Sequence, residues 1–123
     1  MRTLAIFLLA VSMSLVMCYD EKFDKINVDK ILEDDSLFTA YINCMLDKGS
    51  CENIQYSEEF KKLLPEVVAT ACAKCTPIQK GHVRKTVKAL HDKKPADFEE
   101  FRKLYDPKGE HEKQFTEFVL SEE

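Results

Sequence analysis

The sequence predicts an all-α protein of about six short helices around an apolar interior. Two observations carry this. Apolar residues recur at i, i+3, i+4 in one stretch after another, and nowhere in strict alternation. Glycine occurs only three times in 123 residues.

The first stretch is of another kind. Arg2 precedes an apolar run, Leu4 to Met17, broken only by Ser12 and Ser14. A short basic n-region followed by an apolar h-region reads as a secretory signal peptide. The run is shorter than the ~20 apolar residues that span a bilayer, so an uncut N-terminal anchor is the weaker reading. Cleavage after Cys18 leaves Val16 at −3; a cut after Ser14 is the alternative. The expectation is a signal over 1–18 and a single secreted domain over 19–123, large enough to build a core. Removal of Arg2 takes the net charge from −4 to −5, which argues against a nucleic-acid binder.

Residues 19–27 read as a polar arm with Phe23 and Ile26 as its anchors. Val28, Ile31 and Leu32 predict a first helix over about 27–33, capped by Asn27. Asp34-Asp35-Ser36 opens the second, about 36–47, whose apolar residues come in pairs: Leu37/Phe38, Tyr41/Ile42 and Met45/Leu46. Gly49 stands where a left-handed residue closes such a helix. Ser57 is the expected cap of a third helix carrying Phe60, Leu63, Leu64, Val67, Val68 and Ala71. Pro65 lies inside this stripe and predicts a kink or break near 61–65. Thr76-Pro77-Ile78-Gln79 is a helix start with a capping box, and the helix runs to about His91 with Ile78, Val83, Val87 and Leu90 inward. Pro95 opens a fifth helix with Phe98, Phe101, Leu104 and Tyr105 on one face. After the turn Tyr105-Asp-Pro-Lys-Gly109, a sixth carries Phe115, Phe118, Val119 and Leu120. Residues 76–94 are net +5 and residues 95–123 net −5, so the acidic end is expected to pack near the basic helix or else to form a second solvated face.

Four of the five cysteines fall between Cys44 and Cys75. Secretion makes disulfides the default, and four cysteines allow three pairings. Cys72 and Cys75 are one helical turn apart, and Cys44 and Cys51 flank a glycine turn, which favours 44–51 with 72–75. A zinc site calls for two short spacings, and only Cys72/Cys75 has one. A redox Cys-x-x-Cys calls for a βαβ context, which is absent. His82, His91 and His111 form no ligand motif, and no P-loop, Gly-x-Ser-x-Gly or GxGxxG occurs. No acid–base set points to an enzyme, and neither cofactor nor metal is implied.

What remains is apolar surface on helical stripes. Composition does not separate a filled core from a hollow one, although ligand pockets between helices are built from the same residues.

Several blocks together resemble the insect chemosensory proteins, the OS-D or pherokine-like family. They are Phe23-Asp-Lys-Ile-Asn-Val-Asp-Lys-Ile-Leu32, Tyr41-Ile-Asn-Cys-Met-Leu-Asp-Lys-Gly-Ser-Cys51, Leu64-Pro-Glu66, Cys72-Ala-Lys-Cys75, Lys94-Pro95 and Tyr105-Asp-Pro-Lys-Gly109. The resemblance covers essentially all of 19–123. It implies six helices around an internal hydrophobic channel and pairing of neighbouring cysteines, Cys44–Cys51 and Cys72–Cys75. It also implies a secreted carrier of odorants, pheromones, fatty acids or long-chain alcohols and esters, found in sensillum lymph or haemolymph. The candidate lining is Phe23 and Ile26 from the arm; Tyr41, Ile42 and Met45; Leu63 and Val67; Val83, Val87 and Leu90; and Phe98, Phe101 and Tyr105. A mouth near Lys80 or Arg84 is offered for a carboxylate head, and Tyr41 or Tyr105 for an alcohol or ester. The partner expected is a small hydrophobic ligand, with no nucleic acid, no stable membrane insertion and a monomeric chain. The competing reading is a secreted interaction or developmental protein with no transport ligand.

Three departures from the family pattern stand out. The gap between Cys51 and Cys72 is two residues longer than usual, which places a longer loop at 52–56. Phe23 stands where a tyrosine is common, and Phe98 where a tryptophan is common.

Overall fold

The computed structural model describes residues 17–52 and 54–121. The expected signal segment therefore lies outside the described residues, apart from Met17 and Cys18, which are both exposed. Among the described residues the chain forms a 3-10 helix, Glu21–Lys25, and seven α-helices. These are α1 Val28–Glu33, α2 Asp35–Met45, α3 Ser57–Lys61, α4 Leu64–Thr70, α5 Pro77–Lys93, α6 Pro95–Tyr105 and α7 Glu112–Leu120. No helix among the described residues is long and apolar enough to cross a membrane.

The longest helix, α5, is the hub. It packs against the 3-10 helix, α1, α6 and α7, while α4 reaches α6 and α7 and α2 lies between α1 and α3. Its start is fixed locally. The Thr76 hydroxyl accepts from the Gln79 N–H at 3.1 Å, and Gln79 Oε1 accepts from the Thr76 N–H at 3.0 Å. This box turns Gln79 inward, where only 1% of it is exposed and its amide donates to the Asp20 carbonyl at 2.9 Å. Ile78, expected inward, is instead 54% exposed. The turn that closes the box gives the inward position to Gln79.

Asn27 and Asp34 cap α1 and α2 as expected, accepting from Lys30 N–H and from Ser36 and Leu37 N–H. The end of α2 differs from expectation. Asp47, at φ 63°, takes the left-handed position, and Gly49 does not. The Lys48 N–H donates to the Asn43 carbonyl at 2.8 Å and the Asp47 N–H to that of Cys44 at 3.3 Å. Aspartate tolerates this conformation better than most residues, so the Schellman closure forms two residues early.

The expected third helix is two helices, split between Lys61 and Leu64. Pro65 occupies the first turn of α4, where its missing N–H is no loss. Ser57 does not cap α3. The residue before the helix is Tyr56, at φ 68°, and the buried Ser57 hydroxyl donates to the carbonyls of Cys51 and Ile54. Tyr56 also meets Phe23 edge-on, with ring centroids 6.4 Å apart, so the longer loop leans on the arm.

The cysteines pair as Cys44–Cys51 and Cys72–Cys75, with Cα separations of 4.9 and 5.1 Å. The second pair does not sit on a helix. Ala71 and Cys72 both have positive φ, and the bridge spans the turn after α4. The arm is tied down by more than its two apolar anchors. Tyr19 N–H donates to the Lys74 carbonyl at 2.9 Å, its hydroxyl to Glu66 at 2.7 Å, and the Thr76 hydroxyl to Asp24 at 2.7 Å. The acidic C-terminal end does pack on the basic helix, through Arg84, which donates to the Phe118 carbonyl at 3.0 Å and the Ser121 hydroxyl at 2.8 Å. This places a cation at the C-terminus of α7, where the helix dipole favours it.

Candidate ligand-binding site

Three spaces lie along α5. The first is a central cavity of about 50 Å³ between α2, α3, α4, α5, α6 and α7. It is walled by the expected Tyr41, Ile42, Met45, Val67, Val83, Val87, Leu90 and Phe101. Leu46, Phe60, Leu64, His82, Thr86 and Phe115 complete it. The second is a groove of about 670 Å³ between α4, α5, α6 and α7. The expected Val87, Phe98, Phe101 and Tyr105 line it, together with Val68, Phe115 and Val119. Val87, Phe101 and Phe115 belong to both and form the wall between them. The third is a polar recess of about 290 Å³ between the arm, α1 and α5.

The spaces follow from the periodicity of α5. Val83 and Val87 lie one turn apart and face the cavity, while Lys88 and His91, further along, reach the rim of the groove. From His82 to His91 the helix rises about 13 Å at ~1.5 Å per residue. That run passes all three spaces.

Three expected lining residues fall elsewhere. Phe23 is buried against Tyr56 and Phe60 and lines neither cavity nor groove. Leu63 is half-buried in the break between α3 and α4 and lines neither. Ile26 faces the polar recess. Lys80 and Arg84, offered as a basic mouth, also line none of the three spaces. Leu104 and Leu120 are exposed, though Leu120 still reaches the groove edge.

The polar groups are few inside and many at the rim. Tyr41 is 5% exposed and its hydroxyl bonds to no described residue. Burial pushes its phenol well above the usual tyrosine range. The Tyr105 hydroxyl donates to the Met45 carbonyl at 2.6 Å. Burial, with the nearby Asp47 charge, pushes its phenol up to about 12. Burial holds the His82 imidazole below its ordinary value; Asp24 and Asp29 oppose this and Lys85 adds to it. The groove rim carries Asp92, Glu99, Asp106 and Glu112 against Lys88 and Arg102. Arg102 already bridges Glu99 at 2.7 Å and Glu112 at 3.0 Å, and so joins α6 to α7.

A model described as the insect pheromone-binding family, A10/OS-D, matches residues 19–113. The chain belongs to this family. Among A10/OS-D relatives, "Putative odorant-binding protein A10" of Drosophila melanogaster is 35% identical over 99 residues. That match takes in 80% of this chain and 63% of the relative, so the chain spans somewhat less than two thirds of that protein's length. Ejaculatory bulb-specific protein 3, also of Drosophila melanogaster, is 36% identical over 72% of this chain and 69% of its own. Among solved structures, a chemosensory protein in complex with bromo-dodecanol superposes with a TM-score of 0.70 at 30% identity, over 80% of this chain and 97% of its own. Antennal chemosensory protein A6 of the moth Mamestra brassicae gives 0.65 at 30% identity, over 82% and 92%. The all-helical A10/OS-D fold and the two local disulfides are thus those the sequence implied.

The lining residues beyond those expected are of two kinds. Leu46, Phe60, Leu64, Val68, Phe115 and Val119 lie on the predicted stripes, and only the packing of several helices tells lining from filler. His82 and Thr86 are polar, and no apolar periodicity marks them.

Proposed function

We propose that residues 19–123, released from a signal over 1–18, form a monomeric secreted carrier that reversibly holds an elongated, uncharged amphiphile such as a long-chain alcohol or ester. The observation that carries this reading is the groove of about 670 Å³ sharing Val87, Phe101 and Phe115 with an apolar cavity. Its size lies within the ~300–1,000 Å³ usual for small-molecule sites, whereas the cavity alone is far below it. A guest therefore lies mainly in the groove and enters the cavity by displacing the shared wall.

Transfer of an alkyl chain from water supplies the affinity. At ~0.8 kcal/mol per buried methylene, ten methylenes contribute on the order of 8 kcal/mol before the loss of translational freedom is subtracted. The charge of the rim sets the preferred class. Four carboxylates face two cations, and one of the cations is already shared by Glu99 and Glu112. A carboxylate that must pass this rim to enter gains little from it, so neutral guests are favoured over fatty acids. The bromo-dodecanol bound by a relative of this fold is of the favoured class.

The test is displacement of a fluorescent probe by a matched series of C12 acid, alcohol and ester at pH 7. Alcohol and ester should displace it more strongly than the acid. Failure of every member to bind would overturn the carrier reading and favour the interaction protein.

A further inference from the structure

We propose that His82 is the residue that seats the polar head of the guest, so that the amphiphile lies head-inward along α5 with its tail in the groove. The inference rests on the carrier reading above.

His82 is the one described residue that lines both the central cavity and the polar recess. It therefore forms the partition between an apolar interior and a water-facing pocket. It makes no hydrogen bond or ion pair to any described residue. A half-buried imidazole with no protein partner keeps its ring nitrogens available to a guest or to water. The cavity has two more polar groups in the same condition. Thr86 lies one helical turn beyond His82 on the same face, and the Tyr41 hydroxyl is buried. All the other residues walling the cavity are apolar. An apolar chamber with three unpartnered polar groups fits a guest that brings one polar group to one end.

The chemistry of the head follows from what surrounds the ring. Asp24 and Lys25 face the recess from the arm, Asp29 from α1 and Lys85 from α5, while Tyr41 faces the cavity from α2. Lys85 and Asp29 already pair at 3.0 Å, and Asp24 accepts from Thr76. The recess is thus close to charge-balanced, with two carboxylates against Lys25 and Lys85, and burial favours the neutral ring. Neutral imidazole offers one donor and one acceptor. Its match is a hydroxyl, which is both, or a carbonyl, which accepts.

Length supports the orientation. With the head at His82, a chain following α5 passes Val83 and Val87 and crosses the shared wall into the groove near His91. The cavity of about 50 Å³ has room for the head and the first few carbons, and the groove takes the rest.

The experiment compares 1-dodecanol with dodecane, by probe displacement, on the full secreted protein and on His82→Leu and His82→Gln. In the wild type the alcohol should bind about tenfold more tightly than the alkane. His82→Leu should abolish that difference while leaving alkane affinity within about twofold, and His82→Gln should restore most of it. Persistence of the alcohol preference in His82→Leu would overturn the assignment and leave Tyr41 or bound water as the head-group partner. An equal loss for alcohol and alkane would also overturn it, since the ring would then serve packing alone. If neither compound binds the wild type, the carrier reading fails and the seat fails with it.

Discussion

The two sides of α5 are held together by different means. On one side the arm, α2, α3 and α4 are clipped by Cys44–Cys51 and Cys72–Cys75 and by the capping box with its contacts to Asp20 and Asp24. On the other side no disulfide reaches α6 or α7. What holds them is Tyr105 on the Met45 carbonyl, the Lys48–Glu100 pair, Arg84 on the end of α7, and Arg102 between Glu99 and Glu112. Both disulfides close short loops, so they restrict the unfolded chain without tying the groove wall to the rest of the fold. Exposed ion pairs contribute little each. The contrast is one of cross-links: covalent clips lie on the arm side, and hydrogen bonds and exposed ion pairs join α6 and α7 to the rest.

The largest expected effect tests the arm side. Phe38 is wholly buried on α2 and lines neither cavity nor groove. Phe38→Ala should cost ~3–5 kcal/mol in urea denaturation. Replacing Cys44 and Cys51 together by Ala should cost about 2–3 kcal/mol by the same measurement, with probe affinity at 20 °C unchanged. A comparable loss of affinity would make the clip part of the groove and remove the difference between the two sides.

The next two changes test the groove side. Tyr105→Phe removes one buried-side hydrogen bond to Met45 and should cost ~1 kcal/mol. It should also alter the alkaline limb of stability. A tyrosine whose folded value stands above its ordinary one favours the protonated fold. Its contribution is therefore complete below about pH 10 and is lost as pH rises toward about 12. Wild-type stability should fall across that window, and Tyr105→Phe should fall less steeply. Arg102→Met should change stability by less than about 1 kcal/mol yet speed probe uptake in stopped-flow mixing, since it unlinks α6 from α7. An unchanged uptake rate would mean that the groove opens elsewhere.

Much of this architecture was legible because it is written over three or four residues at a time. Asn27, Asp34 and the Thr76–Gln79 box announce their helices, and Pro65 announces the break that divides α3 from α4. Where local signals competed, the outcome was less legible. Asp47 rather than Gly49 closes α2, and Ser57 satisfies carbonyls of the preceding loop in place of capping α3.

The site was legible only by half. Tyr41, Ile42, Met45, Val83, Val87 and Phe101 wall the cavity, and each lies on an inward stripe of its helix. Leu63 lies on such a stripe and bounds neither space, the arm anchor Phe23 packs on Tyr56 and Phe60, and Phe115 bounds a void.

The helical class, most helix starts, most of the inward faces and the family follow from the sequence alone. Each depends on spacing and short-range hydrogen bonds within one stretch of chain. Only the tertiary structure decided which apolar side chains leave a gap and which polar ones, His82 above all, stand at its edge. A cavity is what several helices fail to fill between them, and no single stretch of sequence contains that difference.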